Sequence, residues 1–279
     1  ALSRGIIHVE QRIHDFELNP QTEYVTAIQL LDRKIQCDFV VDASGFSRLL
    51  IGKKYQSGWY SFADTLPMNR ALPFHLQHQD KIELVTRATA MSSGWVWQIP
   101  LQERIGAGYV YHDQFITDEQ AQQEVEQWLG AKISPALPIA FEAGFYEKVW
   151  MKNVVAIGLA SGFIEPLEAT SIGQMLSQLQ LMISFIQENH GVISQQNIDF
   201  YNRQNSQYWQ GICDFIRMHY DTGRKDTPFW QYMLTVPQSQ SYQELKKCWE
   251  HRTPRDIDFV EHSMGGMSMF SAASWFAVG

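Results

Sequence analysis

Gly158-Leu159-Ala160-Ser161-Gly162-Phe163-Ile164-Glu165-Pro166-Leu167-Glu168-Ala169-Thr170-Ser171-Ile172 reads as the exit of a strand, a glycine-containing loop and the first turn of a long helix. Glycines let the backbone approach a ligand closely. The first N–H groups of a helix lack intrahelical acceptors, and the aligned peptide dipoles leave about half a positive charge there. Such an end takes small anions: halide, phosphate or carboxylate. Glu168 stands just before it, where negative charge is favoured. A plainer reading fits the same spacing, with Thr170 or Ser171 capping the helix and Glu168 a first-turn acid.

Upstream, the chain reads as β structure. Gly5-Ile6-Ile7-His8-Val9 is expected to be a strand, and Tyr24 to Leu30 alternates with period two. The run Cys37 to Val41 leads into Asp42-Ala43-Ser44-Gly45-Phe46, a small-residue turn of the kind at which open α/β sheets receive nucleotides. Residues 52–80 read as irregular. A strand is expected from Lys81 to Thr89, then a hairpin of Gly94 to Leu101 and Arg104 to His112 joined at Gln102-Glu103. Thr117-Asp118-Glu119-Gln120 is a capping box that starts a helix closed by Gly130. Two further strands are expected, at Ala140 to Trp150 and Asn153 to Gly158.

Downstream, the pattern turns helical. Ser171 to Asn189 carries Ile172, Met175, Leu176, Leu179, Met182, Ile183 and Ile186 at helical spacing, the expected buried face. Ser194 caps a second long helix to Tyr220, and shorter helices follow at Thr227 to Leu234 and Ser241 to Glu250. Strands first and helices later indicate an α+β fold, or α/β lacking its front part. The expected division is 1–190 and 191–279. Both ends, the strand-like start and the apolar finish at Trp275 to Gly279, suggest a piece of a longer polypeptide.

The 279 residues carry 22 basic and 30 acidic side chains, a net charge of −8 that argues against a nucleic-acid surface. No uninterrupted apolar run reaches the roughly 18 residues a membrane span requires. Cys37, Cys213 and Cys248 form no C-x-x-C pair, which speaks against a metal site and fits a reducing, cytoplasmic compartment. Aromatic residues make up 13% of the chain, enough for a large core or a pocket for a flat ligand. In Gly94-Trp95-Val96-Trp97-Gln98-Ile99-Pro100, Trp95, Trp97 and Ile99 share one strand face. That face is either a flat wall beside a cofactor or ordinary core packing. His219 to Trp230 reads as a structural junction, and no H-x-x-x-H, G-x-S-x-G or P-loop supports a hydrolase or NTPase.

Trp95 to Pro100 as W-x-W-x-I-P, the Asp42 to Phe46 turn, Gly162 to Ile172 and His219 to Trp230 together resemble the flavin-dependent tryptophan halogenases, in the right order along most of the chain. The resemblance implies the FAD-dependent aromatic-hydroxylase-like flavoprotein fold without its N-terminal Rossmann part. It implies a cofactor, FAD, whose reduced form comes from a separate flavin reductase. Oxygen would convert it to a hydroperoxide that oxidises chloride or bromide to hypohalous acid, and a small electron-rich aromatic substrate would be halogenated. By motif, Glu168 would be catalytic, and the amides of Thr170 and Ser171 would hold the halide. Leu159 and Ile172 would flank the flavin, Val9 would lie on its adenine side, and Trp95 and Trp97 would shield it from substrate. The glycine fingerprint and the catalytic lysine that the family carries nearer its front are absent from these residues, so this segment alone is expected to be inactive. Ala169 stands where serine is frequent and Ser171 where glycine is. The resemblance leaves open tryptophan, another indole or a phenol as substrate, and a homodimer as the assembly. The rivals are a flavin-dependent aromatic hydroxylase and a non-catalytic binding fragment.

Overall fold

Val40–Asp42 runs parallel to Val154–Ala156, and Trp150–Met151 pairs antiparallel on the far side of the latter. The computed structural model, which describes residues 2–78, 82 and 84–278, is built outward from this small sheet. Val154, Val155 and Ala156 are buried completely, as a strand covered on both faces requires. Asn153 is buried just ahead of them and ties in a second sheet. Its side chain accepts from the Val25 N–H at 2.9 Å and donates to the carbonyls of Val25 and Asp38. That second sheet is the antiparallel set Asp15–Leu18, Val25–Gln29 and Lys34–Gln36. Its centre is the alternating segment expected at Tyr24 to Leu30, with Val25 and Ala27 turned inward.

The largest sheet has five antiparallel strands in the order Ile139–Ala140, Arg70–Leu76, Ile105–Tyr111, Gly94–Pro100, Arg87–Ala90. The expected hairpin lies at its heart, with Trp95 opposite Val110 and Trp97 opposite Gly108. Lys81 and Glu83, in the first part of the strand expected from Lys81, lie outside the described residues; the strand itself is Arg87–Ala90.

Among the described residues six α-helices follow or interrupt the strands: α1 (Asp118–Leu129), α2 (Thr170–Glu188), α3 (Gln195–Met218), α4 (Pro228–Met233), α5 (Gln240–Trp249) and α6 (Ala272–Val278). Their starts match local chemistry. Thr117 Oγ1 accepts from the Gln120 N–H while the Gln120 side chain accepts from the Thr117 N–H, and Ser194 with Asn197 does the same for α3. Gly130 closes α1 with φ +66°, a left-handed conformation that glycine adopts without Cβ strain. Among the described residues no helix is long and apolar enough to cross a membrane.

Four expectations need correction. Gly5 to Val9 is not a strand. Leu2–Arg4 forms a single 3-10 turn, the following residues are irregular, and no described strand lies beside them to complete a ladder. Residues 52–80 are not all irregular: Trp59–Ser61 and the seven-residue Arg70–Leu76 are strands. Pro73 disguised the latter, since proline usually demotes a strand; its carbonyl still accepts from the Ala136 N–H. The single strand expected at Ala140 to Trp150 is three short ones, Ile139–Ala140, Gly144–Tyr146 and Trp150–Met151, each in a different sheet. The buried face of α2 also differs. Gln174, Gln178, Leu181 and Met182 point inward, whereas Ile172, Leu176 and Ile183 are exposed. The inward glutamines meet polar partners: Gln178 accepts from the Gly158 N–H at 3.0 Å and donates to Ser161 Oγ and Asn205 Oδ1, and Gln174 donates to the same Asn205 oxygen while its own Oε1 is without a partner.

Candidate active site

The parallel strands Val40–Asp42 and Val154–Ala156 end side by side, each in a tight turn: Gly45–Ser47 after the first and Gly158–Ala160 after the second. Asp42 shapes its turn from within, accepting from the Ser44 N–H at 3.0 Å and the Leu50 N–H at 2.8 Å. The region beyond the carboxyl ends of parallel strands is where such sheets leave room for a ligand. Leu159 sits in the second of these turns, half-buried.

The chain then passes through Gly162–Phe163 and the loop Ile164 to Ala169 into α2. Ala169 is the N-cap residue, with φ +52°, and no side chain caps the helix. The plainer reading, a Thr170 or Ser171 cap, therefore fails. Thr170 is buried and its Oγ1 has no partner, so the first N–H groups of α2 are left for something else. Glu168, Thr170, Ser171 and Ile172 come together here, as their spacing demanded. Val9 does not join them; it is half-buried in the irregular segment near the start of the chain.

Three residues distant in sequence lock this loop. Glu165 is fully buried, and its Oε2 accepts from Trp95 Nε1 at 3.1 Å and from the Tyr220 hydroxyl at 2.7 Å. Its Oε1 has no partner. Burial pushes the carboxyl up to about 7, against the opposing effects of the Tyr220 and Trp95 bonds and the charge of His219. Burial also pushes the Tyr220 hydroxyl far up, which keeps it a donor. One residue earlier in the chain, His219 Nε2 lies 2.8 Å from Glu168 Oε1. Adjacent residues at the end of α3 thus grip the two carboxylates of the E-P-L-E loop. Trp95 is buried and Trp97 half-buried, their rings 6.1 Å apart and inclined at 57°. Trp97 lies over Gly108, where a Cβ would stand 2.0 Å from the indole.

Beside His219 a cavity of about 790 Å³ opens between α3, α5 and α6. Tyr242, Trp249, Trp275 and Phe276 supply aromatic lining, with Lys246 and Arg252 at its polar parts. Lys246 is paired with Asp221, and Arg252 with Asp258. A family profile described as tryptophan halogenase matches residues 1–279.

The chain belongs to the tryptophan halogenase family.

It is 37% identical over 279 residues to the uncharacterized protein y4xG of Sinorhizobium fredii, covering 100% of this chain and 55% of that protein. Identity to the tryptophan 7-halogenase RebH of Lentzea aerocolonigenes is 33% over 235 residues, 81% of this chain and 44% of that one. BrvH, a flavin-dependent halogenase from Brevundimonas sp. BAL3, superposes with a TM-score of 0.88 at 32% identity, over 99% of this chain and 56% of that structure. The tryptophan 6-halogenase SttH from Streptomyces toxytricini superposes at 0.90 with 28% identity, over 99% and 54%. The chain therefore spans about half the length of the relatives it matches. Its α/β architecture is that of flavin-dependent halogenase structures.

The residues present fit the family's flavin. Ile172 is 68% exposed and Leu176 56%, an apolar pair on the outer side of α2, the helix that packs against the Gly158–Ala160 turn. A flat apolar ring system laid there would cover it, and the uncapped amides beside it suit an anion. Composition gave no sign of Glu165 and Tyr220. His219 was visible as part of a family-like stretch, but only as a junction.

Proposed function

We propose that the full-length protein is an FAD-dependent halogenase that transfers an oxidised halide to an electron-rich aromatic compound, tryptophan or another indole. When bound, reduced FAD supplies, with oxygen, the two-electron oxidation that converts chloride or bromide into hypohalous acid. In this reading residues 1–190 contribute part of the flavin site and the sheet behind it, and 191–279 wall the substrate. Leu159 and Ile172 flank the flavin ring system, and Val9 lies on the adenine side. The amides of Thr170 and Ser171 hold the halide, a role supported by the lack of any side-chain cap on α2. Trp95 and Trp97 keep the aromatic substrate off the flavin, and the cavity beside His219 receives it. Reduced flavin arrives from a separate flavin reductase, and the free Cys37, Cys213 and Cys248 are in keeping with a cytoplasmic enzyme.

Glu168 is the catalytic carboxylate. Its Oε1 is engaged by His219, and its Oε2 makes no hydrogen bond among the described residues. That free oxygen either orients the electrophile or takes the ring proton after halogen addition. In the second role the C–H bonding pair returns to the ring, restoring aromaticity, while the proton passes to the carboxylate. The observation that carries the proposal is the pairing of an uncapped helix start with a carboxylate held one residue ahead of its N-cap.

The test uses the full-length protein with reduced FAD, oxygen, bromide and either indole or tryptophan. A brominated product, recognised by its isotope pair in the mass spectrum, supports the proposal. A hydroxylated product without bromine makes the protein a monooxygenase, and no bound flavin makes it a binding module. Glu168→Gln should lower halogenation at least about 100-fold while flavin binding is unchanged; a near-parental rate would remove Glu168 from the chemistry.

A further inference from the structure

His219 makes two hydrogen bonds, and both partners are acceptors. Nδ1 lies 2.9 Å from the carbonyl oxygen of Phe215, one turn back in α3, and Nε2 lies 2.8 Å from Glu168 Oε1. A carbonyl oxygen cannot donate, so Nδ1 carries a hydrogen. A neutral ring then has a bare Nε2, which cannot bond to an ionised carboxylate. One extra proton must therefore reside on this pair.

Its place follows from the two helix ends that meet here. His219 is the C-cap residue of α3, where the unpaired carbonyls favour a cation. Glu168 immediately precedes the N-cap residue of α2, where the unpaired amides favour an anion. The Glu168 side chain is 37% exposed and open to hydration, whereas that of His219 is 17% exposed. Both ends favour charge separation.

Resting on the halogenase reading, we infer that His219 is a positioning residue: as an imidazolium it holds Glu168 ionised, with Oε2 left free for the substrate side. The bond joins the end of α3 to the start of α2 across 51 residues of sequence. It also couples the carboxylate to the aromatic-lined cavity, since the same imidazole forms part of the cavity wall.

The other ionisable groups around the ring are already engaged. Glu165, on the loop before α2, is bonded to Trp95 and Tyr220. Asp221, just beyond α3, is bonded to Lys246 and to the Tyr242 hydroxyl, both from α5. Arg252, beyond α5, is bonded to Asp258, and Arg217 within α3 donates to the carbonyls of Met233 and Val236. Glu250 lines the cavity without bonding to His219, and α6 brings no ionisable side chain. Glu168 is thus the carboxylate bonded to this ring.

Two measurements test the assignment on the full-length protein. The first is the 15N spectrum of histidine-labelled protein, with the His219 signals identified by their loss in His219→Gln. At the pH of the activity assay, the ring should carry hydrogens on both nitrogens in the parental protein. In Glu168→Gln the amide N–H can donate to Nε2, and the ring should carry hydrogen on Nδ1 alone. The second is the rate of halogenation and its rescue by the conservative variant. His219→Phe should lower kcat at least about tenfold, the usual scale for a lost charge-assisted bond. His219→Gln should recover part of that loss, because its amide N–H can still donate to Oε1. A bare Nε2 in the parental spectrum, or a parental rate in His219→Phe, overturns the inference. If the full-length protein halogenates nothing, the functional reading falls by itself, while the nitrogen spectrum still decides the state of His219.

Discussion

Replacing Glu165 by glutamine isolates a pH-dependent stability term that the structure makes large. The carboxyl has no exposed surface, and burial lifts it from an ordinary 4.5 to about 7. Between those values the folded protein holds a proton that the unfolded chain has released. Stability is therefore full below about pH 4.5 and declines as pH rises toward 7, the reverse of a salt-bridged carboxylate. The gap corresponds to about 3 kcal/mol. Glutamine keeps an oxygen for the Trp95 and Tyr220 donors and cannot ionise. Its amide occupies the position of Oε1, where no acceptor waits, at a cost of about 1–3 kcal/mol that does not vary with pH. Urea unfolding of parental and Glu165→Gln proteins at pH 5, 6, 7 and 8 gives the difference at each pH, cancelling every other titrating group. The variant should gain on the parent by about 2–3 kcal/mol from pH 5 to pH 8, because part of the full gap is already lost at pH 5. A difference that stays flat across this range would refute the buried, proton-holding Glu165.

Gln178→Leu should destabilise by about 2–4 kcal/mol in the same assay, since it removes the partner of the Gly158 N–H and the donor to Ser161 and Asn205. The loss belongs to the turn that carries Leu159, so flavin affinity, read by fluorescence quenching, should fall with it. Gly108→Ala places a methyl 2.0 Å from Trp97 and should cost about 1–3 kcal/mol by urea unfolding, with a changed tryptophan emission as the ring is displaced. An unchanged emission spectrum would mean that Trp97 is not fixed against that strand.

The legible parts of this protein were those whose cause is local. A capping residue and the amide it accepts lie three positions apart, so Thr117 and Ser194 announced their helices, and Gly130 announced an end. The hairpin around Gln102-Glu103 was readable because two alternating strands meet across a short turn. The loop from Gly158 to Ile172 was readable for the same reason, and its likeness to a family gave Leu159, Glu168, Thr170, Ser171 and Ile172 expected roles. Periodicity misled where burial was set by polar groups: the apolar row of α2 lies outside because Gln174 and Gln178 find Asn205 within.

Tertiary structure alone decided the electrostatics of the site. Glu165 and Glu168 are both glutamates three residues apart, and nothing in their spacing distinguishes a buried carboxyl from a half-open one. The distinction comes from Trp95, 70 residues before Glu165, and from His219 and Tyr220, which follow the two glutamates by 51 and 55 residues. A carboxyl's charge depends on the solvent and donors within a few ångströms of it. Sequence could place these residues on a loop before a helix, but folding had to bring the α3 end and the tryptophan strand against that loop before one became a proton holder and the other an available carboxylate.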